Sequence, residues 1–355
     1  MDLIHQVKHS RFIQFLIFSF FAGIVIILLH HYTTASLGFP KYNDHLRHLR
    51  FAYEFLFRGW HIYDTYLLDF AHIGSSYSYE WPNIIYLYPL GIVWFFVPFA
   101  LLAFSGVLSF GKVAFLLIAT FFLFAHINTY LLANVLLKNS HERLVKYIFI
   151  ALFYLLGCWW ALHGQYESLV AFCLLVAANQ TVIKNRFLWL VGAFFLKLQA
   201  MFFLPMYIKT FWQGWRERVL WSWQFIVAYI FLAANALMIL TVRHQLIPRV
   251  TNPIHISTFS RQHFFVLGVL VIFAGFAVIK KRWKVAAVIL THTLSLMIVG
   301  ELQGWYLTLL FVTPAFLAEE QEKEIYMLWF IVFLWVMHAL PSFPAMSDIL
   351  LKGLI

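Results

Sequence analysis

Charged residues are scarce in this chain of 355 residues. Lys, Arg, Asp and Glu together make up 11% of it, whereas 63% is hydrophobic. Such a composition excludes an ordinary soluble domain. Apolar runs of about twenty residues recur along the sequence, and each is long enough to cross a hydrocarbon core of about 30 Å. We therefore predict a single all-α transmembrane domain over residues 1–355, a polytopic bundle of about nine full spans plus re-entrant or short helices.

Cysteines and cofactor motifs are also few. Cys158 and Cys173 fall inside apolar segments and predict small core residues rather than a disulfide framework. The histidines lack metal-ligand spacing, and no glycine-rich phosphate loop or serine nucleophile elbow is present. We predict no cofactor and no metal ligand, a divalent ion being unsupported. The net charge of +10 lies in short loops between helices, which indicates membrane orientation rather than a nucleic-acid partner.

Short basic clusters predict the topology, because they mark the cytoplasmic side of a membrane. The clusters are Lys8/Arg11, Lys138/Arg143/Lys146, Lys184/Arg186, Lys209/Arg216/Arg218 and Lys280/Lys281/Arg282/Lys284. They make residues 31–83 and 243–262 the first and second extracytoplasmic loops, and they place two helices in 147–181 with an outer turn between them. A retained first helix precedes residue 31. A bacterial plasma membrane is favoured over the endoplasmic reticulum.

Two segments do not fit as simple spans. The crossing number between residues 84 and 137 must be odd, so we assign 112–137 as the span. The run 86–104, interrupted by prolines, is then a broken, interfacial or re-entrant helix. Residues 187–208 have basic clusters at both ends, which predicts a pair of short helices with Lys197 near their turn. A lysine at that depth needs an acidic or phosphate partner.

The first extracytoplasmic loop contains five of the fifteen acids, and Asp44 stands nearest the first helix. The spacing of Leu46, Leu49, Tyr53 and Phe57 predicts an amphipathic helix lying on the membrane. Asp44 would be a general base that takes a proton from an acceptor hydroxyl. The alternative is that these acids only solvate a loop.

Three further polar segments lie on the predicted outer side. His163, Gln165 and Glu167 form one turn, and a second turn spans Glu301–Tyr306. Both could bind a polar ligand or simply cap helices. The loop 243–262 holds three arginines and no acid, against the topology bias. It could bind a phosphate group or attract anionic lipid headgroups.

Taken in order along the chain, several motifs resemble the GT-C superfamily of integral-membrane glycosyltransferases, and especially the mannosyltransferases that use polyprenol-phosphate sugars. The resemblance covers roughly residues 11–318. Its elements are Asp44 after the first helix, Gly59-Trp60-His61-Ile62-Tyr63, Tyr86-Leu87-Tyr88-Pro89-Leu90, Gly164-Gln165-Tyr166-Glu167, Phe195-Leu196-Lys197-Leu198-Gln199-Ala200 with Pro205, and Trp305-Tyr306.

This resemblance implies an inverting transfer from a polyprenyl-phosphate-linked donor, of mannose or another hexose, to a lipid- or glycan-linked acceptor at the extracytoplasmic face. Asp44 would be the catalytic base. The residues expected to bind substrate are His45, Tyr88, His163, Gln165, Glu167, Lys197, Arg243, Arg261, His263, Gln303, Trp305 and Tyr306. The chain departs from the pattern at Tyr88, where relatives have proline, and at His45, where many have a second acid. The second departure favours a metal-independent reaction.

Two other functions remain open from the sequence. A transporter or flippase for lipid-linked sugars should carry charges deep within its spans and often has repeated halves. Lys197 is one such charge, but no repeat is evident. A non-catalytic subunit of a glycan-assembly complex would tolerate replacement of Asp44.

Overall fold

The computed structural model describes residues 15, 17, 19–28, 44–63, 88–137, 143–162, 164–251, 261–298 and 308–317. Within these ranges the chain is mostly helical and contains no strand. Three helices are long and apolar enough to cross a membrane: Phe110–Leu136, Leu144–Leu162 and Trp223–Val242. The predicted all-α fold is thus confirmed for the described residues, whereas about nine spans remain a prediction.

Eleven α-helices can be numbered along the described ranges. The first five are α1 (Ser19–Leu28), α2 (Asp44–Arg58), α3 (Leu90–Phe104), α4 (Phe110–Leu136) and α5 (Arg143–Leu162). The next six are α6 (Glu167–Asn179), α7 (Ile183–Leu196), α8 (Leu204–Arg216), α9 (Trp223–Thr251), α10 (Arg261–Ile279) and α11 (Trp283–Ile298). Short 3-10 helices occupy Gly59–Tyr63, Leu198–Phe203 and Thr313–Leu317.

Large apolar side chains are exposed along the candidate spans. Phe115 on α4 and Ile230 on α9 are examples, and Phe20 and Phe21 on the shorter apolar helix α1 are exposed as well. Soluble monomers rarely expose apolar surface on this scale. In a bilayer these side chains contact lipid, so the pattern agrees with a membrane protein. One large buried cluster inside the bundle includes side chains from every helix from α2 to α11.

Two short helices, α7 and α8, form the predicted hairpin. The hydroxyl of Tyr207 donates to the carbonyl oxygen of Leu190 at 2.8 Å, and the Phe187 and Phe211 ring centroids are 5.9 Å apart. These pairs define an antiparallel register whose turn contains Lys197. The prediction of a helical pair is therefore confirmed, but its second helix runs to Arg216, beyond the predicted end at 208.

The neighbouring helices α6 and α7 are also short. They have 13 and 14 residues, so each is about 20 Å long, roughly 10 Å less than a hydrocarbon core. Residues 180–182 join them at one end and they pack against each other. Their opposite ends, at Glu167 and Leu196, thus stop at a common level inside the bundle.

Two sequence predictions need correction. α3 is one continuous helix, Leu90–Phe104, that runs through Pro98, so the broken form expected for this run is wrong, and an interfacial or re-entrant helix remains a prediction. Pro89 precedes the first turn, where its missing N–H costs nothing. Pro98 lies in the interior and removes the hydrogen bond to the Trp94 carbonyl, so packing of α3 against α2 and α7 must keep the helix continuous. The predicted loop 243–262 is also shorter, since α9 continues to Thr251 and α10 begins at Arg261. The prediction used charge as the sign of a loop, but basic residues are also compatible with a helix.

Gly91 marks the closest approach of α3 to α7. A Cβ added to it would lie 2.5 Å from the Phe195 carbonyl oxygen, a backbone atom that cannot rotate away. We expect Gly91→Ala to separate the two helices and to lower stability by about 1–3 kcal/mol. The measurement is thermal unfolding of the purified protein in detergent.

Gly111 in α4 is the matched control for this substitution. Nothing lies within 4 Å of a Cβ built there. Gly111→Ala should leave the melting temperature unchanged or raise it, because alanine is the better helix former by about 1 kcal/mol. Equal melting temperatures for Gly91→Ala and the unmodified protein would contradict the close approach.

Candidate functional site

A buried ion pair joins the ends of α6 and α7. The ammonium group of Lys197 contacts and donates to Oε1 of Glu167. The two side chains are only 3% and 1% exposed. Burying two charges costs several kcal/mol each before their attraction is counted. A pair at this depth among apolar helices therefore marks a candidate functional site.

The local backbone explains how the pair forms. α7 ends at Leu196, and Lys197 adopts an extended conformation with φ −153° and ψ 126° before the chain turns into a 3-10 helix. Glu167 occupies the first turn of α6, where the helix dipole favours a negative charge. Because α6 and α7 stop at one level, these two residues meet.

Aromatic rings surround the pair and connect it to α2. The Lys197 ammonium lies 4.5 Å from the ring centroid of Tyr166, a cation–π contact. The Tyr166 ring in turn meets the imidazole of His48 at 5.2 Å, edge to face. His48 also contacts Tyr88 at 4.5 Å and stacks on Phe96 at 5.0 Å. We call His48, Tyr88, Tyr166, Glu167 and Lys197 the central cluster.

Tyr88 is held in place from the 3-10 helix that follows α2. The Tyr63 hydroxyl donates to the Tyr88 carbonyl oxygen at 3.0 Å. Burial raises the pKa of Tyr63 above its ordinary value, so the hydroxyl keeps its proton and remains a donor at neutral pH. α2 and the start of α3 thus close over the central cluster as one packed unit.

Several buried oxygens near the ion pair have no hydrogen-bond partner within the described part of the chain. They are Glu167 Oε2, Ser168 Oγ and Asn128 Oδ1. Asn128 lies on α4 and its amide nitrogen donates to the Ser168 carbonyl oxygen at 2.6 Å. Buried polar atoms are nearly always satisfied, so these oxygens call for water or a ligand with hydroxyl groups.

Glu54, the other acid of α2, has a structural role. Its carboxylate accepts from Arg58 Nε at 3.1 Å, one helical turn away, and its side chain is buried. Nearby, burial lowers the pKa of Arg50 to about 10, and attraction to Glu54 opposes that shift. Arg50 therefore remains charged at neutral pH. Because Glu54 is committed to these arginines, it is a poor candidate for a base.

The structure brings together three of the predicted site residues, Tyr88, Glu167 and Lys197, in the central cluster. Gln165 adjoins them in the turn between α5 and α6, where its backbone N–H donates to the Trp160 carbonyl oxygen at 3.0 Å. Each of these four residues lies in one of the short motifs noted in the sequence, but no local signal paired them.

Asp44 and His45 open α2, so the predicted helix after the first loop segment is present. Of the predicted apolar face, Leu49 is buried and Phe57 is exposed, and the polar side chains of His48 and Glu54 are buried as well. α2 packs on α3 rather than only lying against lipid, and this packing determines which of its side chains are buried. The side chains of Asp44 and His45 lie outside the described set.

The remaining predicted residues are placed by backbone alone or not at all. Arg243 belongs to α9, and Arg261 and His263 open α10, their side chains being outside the described set. Four more lie outside the described residues altogether: His163, Gln303, Trp305 and Tyr306. No group of three or more His, Cys, Asp or Glu residues in the described ranges is arranged to hold a metal ion.

Sequence reasoning missed His48 and Tyr166, which connect α2 to the ion pair. Two signals could have found them. His48 follows Asp44 by four residues, one helical turn, and Tyr166 stands between two predicted site residues. Neither was given a role: Tyr166 entered only as part of the Gly164–Glu167 motif, and His48 only as a residue of the segment that follows Asp44.

Together the fold and the site define a helical protein with candidate membrane spans and a buried ionic cluster walled by aromatic rings. Comparisons with protein-family models, with curated proteins and with solved structures found no match.

Proposed function

We propose that the protein is an inverting glycosyltransferase. It transfers a sugar, mannose or another hexose, from a polyprenyl-phosphate-linked donor to a lipid- or glycan-linked acceptor at the extracytoplasmic face of a bacterial plasma membrane. The observation that carries the proposal is the docking of α2, which Asp44 opens, onto the buried Lys197–Glu167 pair through His48 and Tyr166.

The geometry supports separate roles for Asp44, as the base, and for the central cluster, as the substrate-binding site. Asp44 stands one turn before His48 on α2, about 6 Å along the helix axis. A base at the start of α2 is thus near a cluster that supplies a cation, a carboxylate and phenol rings. Such groups bind hydroxyls and phosphate and pack against the faces of sugars.

The proposed step moves a proton and one glycosyl group. The acceptor hydroxyl oxygen attacks the anomeric carbon, and Asp44 takes the hydroxyl proton. The bond from the anomeric carbon to the phosphate oxygen breaks, and polyprenyl phosphate leaves with its electrons. Attack from the side opposite the phosphate inverts the anomeric configuration. Arg261, Arg243 and His263 are proposed to hold the leaving phosphate, with Lys197 as the reserve candidate.

The test is sugar transfer by the purified full-length protein in liposomes. The donor is polyprenyl-phosphate mannose labelled in the sugar, and the acceptors are lipid and glycan extracts of a bacterial membrane. We expect label in an acceptor fraction and free polyprenyl phosphate in equal amount. The anomeric configuration of the transferred sugar, measured by NMR, should be opposite in the product to that in the donor.

A transporter of lipid-linked sugars is the second candidate, because a buried ion pair between apolar helices is also typical of transport proteins. The same liposomes distinguish the two functions. Movement of intact donor between leaflets without transfer would replace the glycosyltransferase proposal with the transporter. If the protein neither moves nor transfers the donor, the result would favour a non-catalytic subunit.

A further inference from the structure

An apolar groove lies on the outside of the α7–α8 hairpin, away from the contacts of the central cluster. Its volume is about 290 Å³, and no polar surface lines it. Phe194, Met201 and Leu204 line the end near the hairpin turn, and Phe187, Ile208 and Phe211 line the opposite end. At about 30 Å³ for each small heavy-atom group, the groove holds roughly ten atoms of a hydrocarbon chain.

The groove continues along one exposed face of α8. Leu204, Ile208, Phe211, Trp212 and Trp215 recur at helical spacing, and all five side chains are exposed. This face is about 16 Å long, since the residues span eleven positions. The Trp212 and Trp215 rings are 4.8 Å apart. Tryptophan is enriched at membrane interfaces, so this end of α8 belongs at the headgroup level.

Basic side chains gather at the same end of the hairpin. Arg216 and Arg218 are exposed just beyond Trp215. The register of the hairpin places Lys184 opposite Gly214. Glu217 is the one acid between residues 181 and 223, so the net charge at this end is positive. A hydrocarbon chain in the groove would thus have its polar end beside cations.

We propose that this groove is a binding site for one acyl chain of an anionic phospholipid, whose headgroup lies against Arg216 at the basic end of α8. The apolar lining excludes a polar ligand, and the positive end selects a negative headgroup. The site is separate from the proposed glycosyl transfer and does not depend on it. Each basic side chain near an anionic lipid surface contributes about fivefold to binding.

The experiment is native mass spectrometry of the full-length protein after stepwise removal of lipid. The probes are phosphatidylglycerol and phosphatidylcholine with the same acyl chains. We expect the unmodified protein to retain one phosphatidylglycerol at least about fivefold more than phosphatidylcholine. Arg216→Gln should lower that preference about fivefold without lowering phosphatidylcholine retention. Leu204→Trp, which fills the groove, should abolish retention of both lipids.

Matched controls exist elsewhere on the chain. Leu123 on α4 is exposed like Leu204, so Leu123→Trp tests an unrelated apolar surface, and Lys112→Gln removes an exposed cation at the start of α4. Both controls should retain phosphatidylglycerol like the unmodified protein. If Leu204→Trp fails to fold, the Arg216→Gln measurement decides alone.

Three outcomes would overturn the proposal. Equal retention of the two lipids would mean a nonselective lipid surface. Displacement of phosphatidylglycerol by polyprenyl phosphate would assign the groove to that lipid instead. A dimer that dissociates only in Leu204→Trp would make the face an interface between two copies of the chain.

Discussion

Asp44→Asn is expected to fold, to insert and to bind donor, yet to transfer sugar about 10²–10⁴ times more slowly than the unmodified protein. Asparagine keeps the shape of aspartate but cannot take the acceptor proton. The substitution lies at the first residue of α2, and asparagine can cap a helix start as aspartate does. The melting temperature should therefore hardly change. The measurement is the single-turnover rate with polyprenyl-phosphate mannose at saturating donor.

Two comparisons make this result specific. Asp64→Asn changes another acid of the same loop and should have a much milder effect. His45→Ala tests whether the neighbouring imidazole is the base instead. Near-normal transfer by Asp44→Asn would end the catalytic assignment and move the interpretation to a transporter or a non-catalytic subunit.

Lys197→Met is expected to destabilise the protein strongly. It leaves the Glu167 carboxylate buried and uncompensated, a change that typically costs about 3–5 kcal/mol. Methionine has nearly the same length, so the loss comes from charge rather than from a cavity. The measurement is unfolding in detergent by denaturant. The exposed Lys112 provides the control, because Lys112→Met removes the same charge from an unburied position.

The double variant Lys197→Met with Glu167→Gln separates stability from function. Replacing both partners removes the uncompensated charge, so most of the lost stability should return. If Lys197 and Glu167 bind substrate, transfer should stay low in this stable protein. Recovery of both stability and transfer would instead show that the pair only holds α6 and α7 together. A Lys197→Met protein as stable as the unmodified one would contradict the buried pair itself.

Charge and hydropathy predicted a large part of the architecture because both act locally. Basic residues on either side of 187–208 required an even number of crossings, and the α7–α8 hairpin follows from that count. The apolar run at 112–137 matches α4 almost to the residue, and the polar turn at 163–167 separates α5 from α6. The same local criterion misplaced the end of α9, since arginine and histidine are as acceptable in a helix as in a loop.

The site was only half predictable for the same reason. Lys197 and Glu167 each appeared as a polar residue at the end of an apolar segment, but nothing local pairs residues 30 positions apart. Their contact depends on the lengths of α6 and α7, which end at one level, and on the extended backbone at Lys197. The participation of His48 depends on how α2 packs over Tyr166 and Phe96.

By itself, the sequence determined the helical class and the three candidate membrane spans of the described residues. These follow from the hydrophobicity of each segment and from where charge interrupts it. Only the tertiary structure decided which polar groups share the buried cluster, that α3 runs unbroken through Pro98, and that α2 turns His48 inward. These features depend on packing between distant segments, where side-chain shape and the cost of burying unpaired charge select one arrangement.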